Sequence, residues 1–111
     1  MMLTYLASPY TAPDPWLRQY RFEQASKCLA ELMAEGHIVY SPIAMTHHAA
    51  VNHGLPYKFE FWQSHCIAFL SVCSQMVVLQ LPGWEESVGV MYEIEWMLDR
   101  GLDVEYRRCQ T

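Results

Sequence analysis

The chain has 111 residues, 52% of them hydrophobic, and 7 lysines and arginines against 12 aspartates and glutamates give a formal net charge of −5. That length implies one domain over residues 1–111 with a single core, and the hydrophobic share excludes a disordered segment. So few cations exclude a general grip on a nucleic-acid polymer, which needs a basic surface, and leave room for a small polar ligand held by local donors. Cys28, Cys66, Cys73 and Cys109 form no CxxC pair and no zinc-ribbon spacing, so neither a disulfide framework nor a structural zinc is expected. The opening residues lack a basic segment followed by a long apolar one, and no run approaches a membrane span. The expectation is a soluble, cytoplasmic protein with no membrane partner.

Residues 3–7 are short, apolar and rich in strand formers. Pro9, Pro13 and Pro15 then break the chain into a loop. Asp14 or Thr11 is placed to cap a helix, with Pro15 suited to its first turn. From 16 to 35, Tyr20, Ala25, Cys28, Leu29, Leu32 and Met33 recur at helical spacing, and Gly36 fits the helix end. Residues 37–40 read as a second strand, closed by Ser41-Pro42. A long loop is expected through His47, His48 and His53 to Pro56. Residues 57–72 read as a second helix, with Phe61, Cys66, Phe69 and Leu70 facing inward. Residues 76–81 form an apolar run that reads as a buried strand ended by Pro82-Gly83. Residues 87–100 read as a third helix closed by Gly101, and 103–106 as a weak last strand.

Strands alternating with helices in this order predict an α/β fold with a parallel sheet of four or five strands and helices on both faces. Four Trp, seven Tyr and seven Met in so small a domain leave apolar surface exposed, so a homodimer or higher homo-oligomer is expected.

Three groups of residues carry possible chemistry. The first runs from Gly83 to Trp96. Ser87 opens a helix at the carboxyl end of a buried strand, where its amides offer an anion site. Gly89 and Glu93 are four apart and share a face. A glycine inside a helix costs roughly 1 kcal/mol relative to alanine, which implies a close approach beside Glu93. A carboxylate there can act as a nucleophile, or it can be an ordinary surface residue beside a simple helix cap. The second group is the first strand and its loop, Tyr5-Leu6-Ala7-Ser8-Pro9-Tyr10. In a doubly wound sheet this strand ends beside the strand before Glu93, which brings Tyr5 within reach of that carboxylate. A core tyrosine and a structural turn would give the same pattern. The third is His47, His48 and His53. Their spacing matches no metal motif, so His47 is read as lining a pocket, and neither a metal nor a cofactor is expected.

Taken together, residues 5–10, residues 36–42 and residues 83–93 resemble the nucleoside 2-deoxyribosyltransferase superfamily. The likeness is to a small branch of bacterial and phage proteins, with the 5′-deoxynucleotide N-hydrolases as relatives. The resemblance implies a flavodoxin-like three-layer α/β/α fold and an enzyme that cleaves or transfers the N-glycosidic bond of a deoxynucleoside or its 5′-monophosphate. It implies that Glu93, in a Gly-x-x-x-Glu helix, is the nucleophile and that Tyr5 orients it. It further implies that Ser87 and Gly89 hold the 5′ end, and that Ser8, Pro9, Tyr10, His47 and Trp84 line the substrate pocket. Where relatives carry an aspartate in the second helix, this chain has Cys66, with His65 adjacent as an alternative proton donor. A non-catalytic nucleotide-binding module and a purely structural assembly protein are the competing readings.

Overall fold

A computed structural model describes residues 2–108; Cys109 lies outside the described residues. The elements are β1 (Leu3–Ala7), α1 (Pro15–Ala34), β2 (Ile38–Tyr40), α2 (Pro42–Asn52), α3 (Phe59–Leu70), β3 (Gln75–Gln80), α4 (Val88–Asp99) and β4 (Asp103–Arg108), with one 3₁₀ turn (Trp84–Glu86) before α4. The four strands form one sheet in the order β2-β1-β3-β4, and every pairing is parallel. This is a flavodoxin-like arrangement.

The period-2 rule of strands explains the layers. Tyr5, Ala7, Met76 and Val78 point to one face and meet Cys66 and Leu70 of α3 and Val90, Ile94 and Met97 of α4. Leu6, Val77 and Leu79 point to the other and meet Cys28 and Leu32 of α1. Both faces of β1 and β3 are thus covered, which is why these strands are apolar without alternation. From β1 the chain crosses one face to β2, then returns over the other face past β1 to β3. The direction of winding therefore reverses between β1 and β3, and the crevice at their carboxyl ends is the switch point where ligands bind in such sheets. Among the described residues no helix is long and apolar enough to cross a membrane.

Local signals explain the element ends. Asp14 caps α1 by accepting from the Trp16 amide at 2.9 Å, with Pro15 in the first turn. Gly36 follows the last turn at φ +97°, a conformation that disfavours any side chain.

The stretch expected as a long loop is instead the helix α2. Ser41-Pro42 ends β2 and opens α2 at the same point. The Ser41 hydroxyl accepts from the Ala44 amide at 3.2 Å, and Pro42 supplies a pre-set first turn. The inward face of α3 is also shifted in phase. Phe59, Trp62, Cys66 and Leu70 face the core, whereas Phe61 is 49% exposed and Phe69 is 36% exposed, stacked on Tyr40. In α1, Ala25, Cys28 and Leu32 are buried as expected, but Tyr20 and Met33 are exposed.

Candidate active site

Glu93 lies on the face of α4 turned to the sheet and is 96% buried, not at the boundary that its helical spacing suggests. Its carboxylate accepts a hydrogen bond from the Tyr5 hydroxyl, with Oη 2.5 Å from Oε2 across 88 residues of sequence. The Cys66 thiol of α3 interacts with the same carboxylate. Burial raises the Glu93 carboxyl to about 7, and the bonds from Tyr5 and Cys66 act in the opposite sense. Burial also pushes the Tyr5 phenol well above its ordinary value, with Glu93 adding to the effect. The Cys66 thiol is pushed up to about 12 by burial and by Glu93. Tyr5 and Cys66 therefore keep their protons and act as donors to Glu93.

Glu93 lines a narrow, partly open cleft. Ser8, Tyr10, His47, Ser87 and Gly89 line it too, so five more of the expected substrate-binding residues meet around the carboxylate. Two do not. Pro9, in the loop after β1, is fully buried and is absent from the cleft wall. Trp84 sits in the 3₁₀ turn, packs its ring 5.7 Å from that of Tyr106, and likewise leaves the cleft. Most of the remaining wall comes from α2, α3 and the loop between them, where Ile43, Thr46, Tyr57, Phe59 and Trp62 carried no recognised sequence signal. The Ser41-Pro42 helix start would have supplied one for the α2 members, because it fixes which residues of α2 turn inward.

The close approach at Gly89 is made by the protein itself. A Cβ there would meet Phe59 Cδ1 at 2.9 Å, so the glycine admits the Phe59 ring against α4. Ser87 caps α4 by accepting from the Val90 amide at 3.2 Å, and its hydroxyl proton remains available to the cleft. Ser8 is buried, and its Oγ has no hydrogen-bond partner among the described residues. A buried hydroxyl left unpaired is uncommon.

His47 uses both ring nitrogens. Nδ1 meets the Tyr10 hydroxyl at 2.7 Å and Nε2 meets Gln19 Oε1 at 2.9 Å, while the ring stacks on Phe22. His65 lies outside the cleft wall, with Nε2 bonded to the Tyr40 hydroxyl at 2.8 Å. It is therefore not placed to protonate a leaving group at Glu93. The position next to the Glu93 carboxylate belongs to Cys66. Among the described residues no three His, Cys, Asp or Glu side chains converge as a metal site.

Of the two arginines near the site, Arg18 acts on the Tyr10 hydroxyl as well as on backbone, and Arg21 is engaged with backbone. Arg18 donates to the Ala12 and Pro13 carbonyls, and its guanidinium lies over the Tyr57 ring. Arg21 donates to Thr11 O at 3.2 Å and Pro82 O at 3.3 Å, tying the loop after β1 to the loop after β3.

Fold and site together define a flavodoxin-like α/β protein with a buried, donor-held glutamate facing a cleft at the switch point of its sheet. Over residues 2–107 the chain matches the family described as Domain of unknown function (DUF1937), and it belongs to that family. No curated protein matches it.

Proposed function

We propose that the protein cleaves or transfers the N-glycosidic bond of a deoxynucleoside or its 5′-monophosphate, with Glu93 as nucleophile. The observation that carries this reading is the Glu93 carboxylate, held by Tyr5 at 2.5 Å and opening onto a cleft with aromatic walls. A Glu93 oxygen forms a bond to C1′ while the C1′–N bond breaks and its electron pair leaves with the base. Water or a second base then displaces the carboxylate from C1′, which restores Glu93. Splitting one displacement into two is the logic of retaining glycosidases. Tyr5 orients the attacking oxygen and favours its ionised form. The free hydroxyls of Ser8 and Ser87 and the first amides of α4 hold the sugar and its 5′ end. Tyr10 and His47 wall the base side. In this reading the exposed apolar side chains, Trp16 and Val88 foremost, serve association with further copies of the chain.

The test is base release followed by chromatography, with deoxynucleosides, ribonucleosides and their 5′-monophosphates, with and without an added free base. Release without acceptor identifies a hydrolase, and a new nucleoside formed only with acceptor identifies a transferase. Glu93→Ala is expected to lower turnover by at least about a thousandfold, because it removes the covalent route. Wild-type turnover in that variant would overturn the assignment. The rate should climb as pH rises through about 7, because only the ionised carboxylate attacks.

A second reading has one observation behind it. Glu93 is the one carboxylate among the described residues of the cleft wall, and Cys66 stands beside it where an acid would assist the departing base. Saturable nucleotide binding with no base released on prolonged incubation would favour a binding module.

A further inference from the structure

The cleft has two halves of opposite hydrogen-bonding character. At the α4 end, Ser8 and Ser87 retain hydroxyl protons to offer. At the end walled by α2 and α3, most of the side-chain protons are already given away. The Trp62 indole N–H donates to Pro56 O at 2.8 Å. Thr11 Oγ1 donates to Tyr57 O at 3.1 Å, and Thr46 Oγ1 donates to Pro42 O at 2.5 Å.

Tyr10 is bound into a chain whose direction is set from its outer end. Gln19 Nε2 donates to Glu23 Oε2 at 3.1 Å, and a carboxylate can only accept. The Gln19 carbonyl must then face His47, which donates to it from Nε2. That leaves His47 Nδ1 a bare acceptor, so the Tyr10 O–H points at it. Burial, His48 and Arg18 all hold the His47 pKa below its ordinary value, against a smaller opposing effect of Glu23, so the ring stays neutral at neutral pH. Among the described residues lining this half, the Tyr57 hydroxyl is the one side-chain donor without an internal acceptor.

We infer that the Tyr10, Thr11 and Thr46 oxygens form an acceptor surface that selects heterocycles with an amino edge over their oxo counterparts. The inference rests on the reading above that the base lies in this cleft. An amino group gives its protons to these oxygens. A carbonyl in its place sets lone pairs against lone pairs and loses the water that solvated it. Tyr10 is thus a specificity-determining residue, and His47, Gln19 and Glu23 are positioning residues that fix its polarity.

Calorimetric titration separates this inference from the catalytic one. Glu93→Gln, used to block turnover, is titrated with adenine against hypoxanthine and cytosine against uracil, then with the matching 2′-deoxynucleosides. The amino member of each pair is expected to bind about tenfold tighter or more. Tyr10→Phe, and independently Thr46→Val, should each shrink that ratio. Equal binding, tighter binding of the oxo member, no binding of either member, or a ratio untouched in both variants would overturn the inference. An amino preference without any base release from the wild type leaves it standing and removes the glycosidic reading. Base release without an amino preference does the reverse.

Discussion

Glu93 shows how one residue sets the character of this site. A buried carboxylate is tolerated because Tyr5 and Cys66 donate to it, yet burial still outweighs both and raises its carboxyl from the ordinary 4.5 to about 7. The sign of the consequence follows from linkage. The folded protein binds this proton more tightly than the unfolded chain, so below pH 4.5 the group has no effect on stability. The penalty grows as pH rises towards 7 and is constant above. The full difference corresponds to about 3 kcal/mol. Urea denaturation of the wild type and Glu93→Gln should therefore show the variant gaining on the wild type by up to that amount between pH 4.5 and pH 8. A difference that is flat with pH would mean that Glu93 is solvated. A group that weakens the fold at working pH is understandable if it is kept for chemistry.

Among the elements, α4 carries the carboxylate. Its Ser87 cap orients the first turn, Gly89 admits Phe59, and Glu93 follows one turn later. Gly89→Ala should raise helix propensity by about 1 kcal/mol, but the new Cβ lies 2.9 Å from the Phe59 ring. The expected result is no gain in melting temperature, together with weaker ligand binding as the ring shifts into the cleft. A more stable variant with unchanged binding would mean that the ring yields freely. How far α4 could be read from sequence is instructive. Its cap and its buried face at Val90, Ile94 and Met97 are local patterns, its approach to Tyr5 follows from the order of the strands, and all three are present in the structure. The cleft wall opposite was not legible. Ser41-Pro42 carries two meanings, a strand stop and a helix start, and only tertiary packing of α2 on α1 through Phe22 and His47 decides for the second. The phase of α3 was lost for a related reason. Phe61 and Phe69 are large and apolar but stay exposed, Phe61 edge-on to Trp62 and Phe69 stacked on Tyr40, which periodicity alone does not distinguish from burial.

At the scale of the whole molecule, the site depends on two loops that meet above the sheet. Arg21 of α1 reaches Thr11 O in one and Pro82 O in the other. Gly83 makes room for it. Gly83 holds φ +91°, and a Cβ there would stand 2.7 Å from Arg21 Nη2. Gly83→Ala is expected to destabilise the protein by about 1–3 kcal/mol through strain and the displaced guanidinium. Ligand affinity should fall with it, because the loop carrying Ser8 loses its tether. Denaturant titration with parallel calorimetry checks both, and an unchanged affinity would mean that the two loops hold their places without Arg21.

The bond between Tyr5 and Glu93 joins the first strand to the last helix. Because β1 lies between β2 and β3, the opening strand needs later segments for both of its neighbours. During synthesis Tyr5 leaves the ribosome long before its partner is made. The cleft is thus among the last features to form, and a chain interrupted before α4 would carry most of the cleft wall but neither Gly89 nor Glu93. Contacts this distant in sequence slow folding. They also tie the placement of the buried carboxylate to the meeting of distant segments, so an incomplete chain has no means of attacking the bonds that the finished one is proposed to cleave.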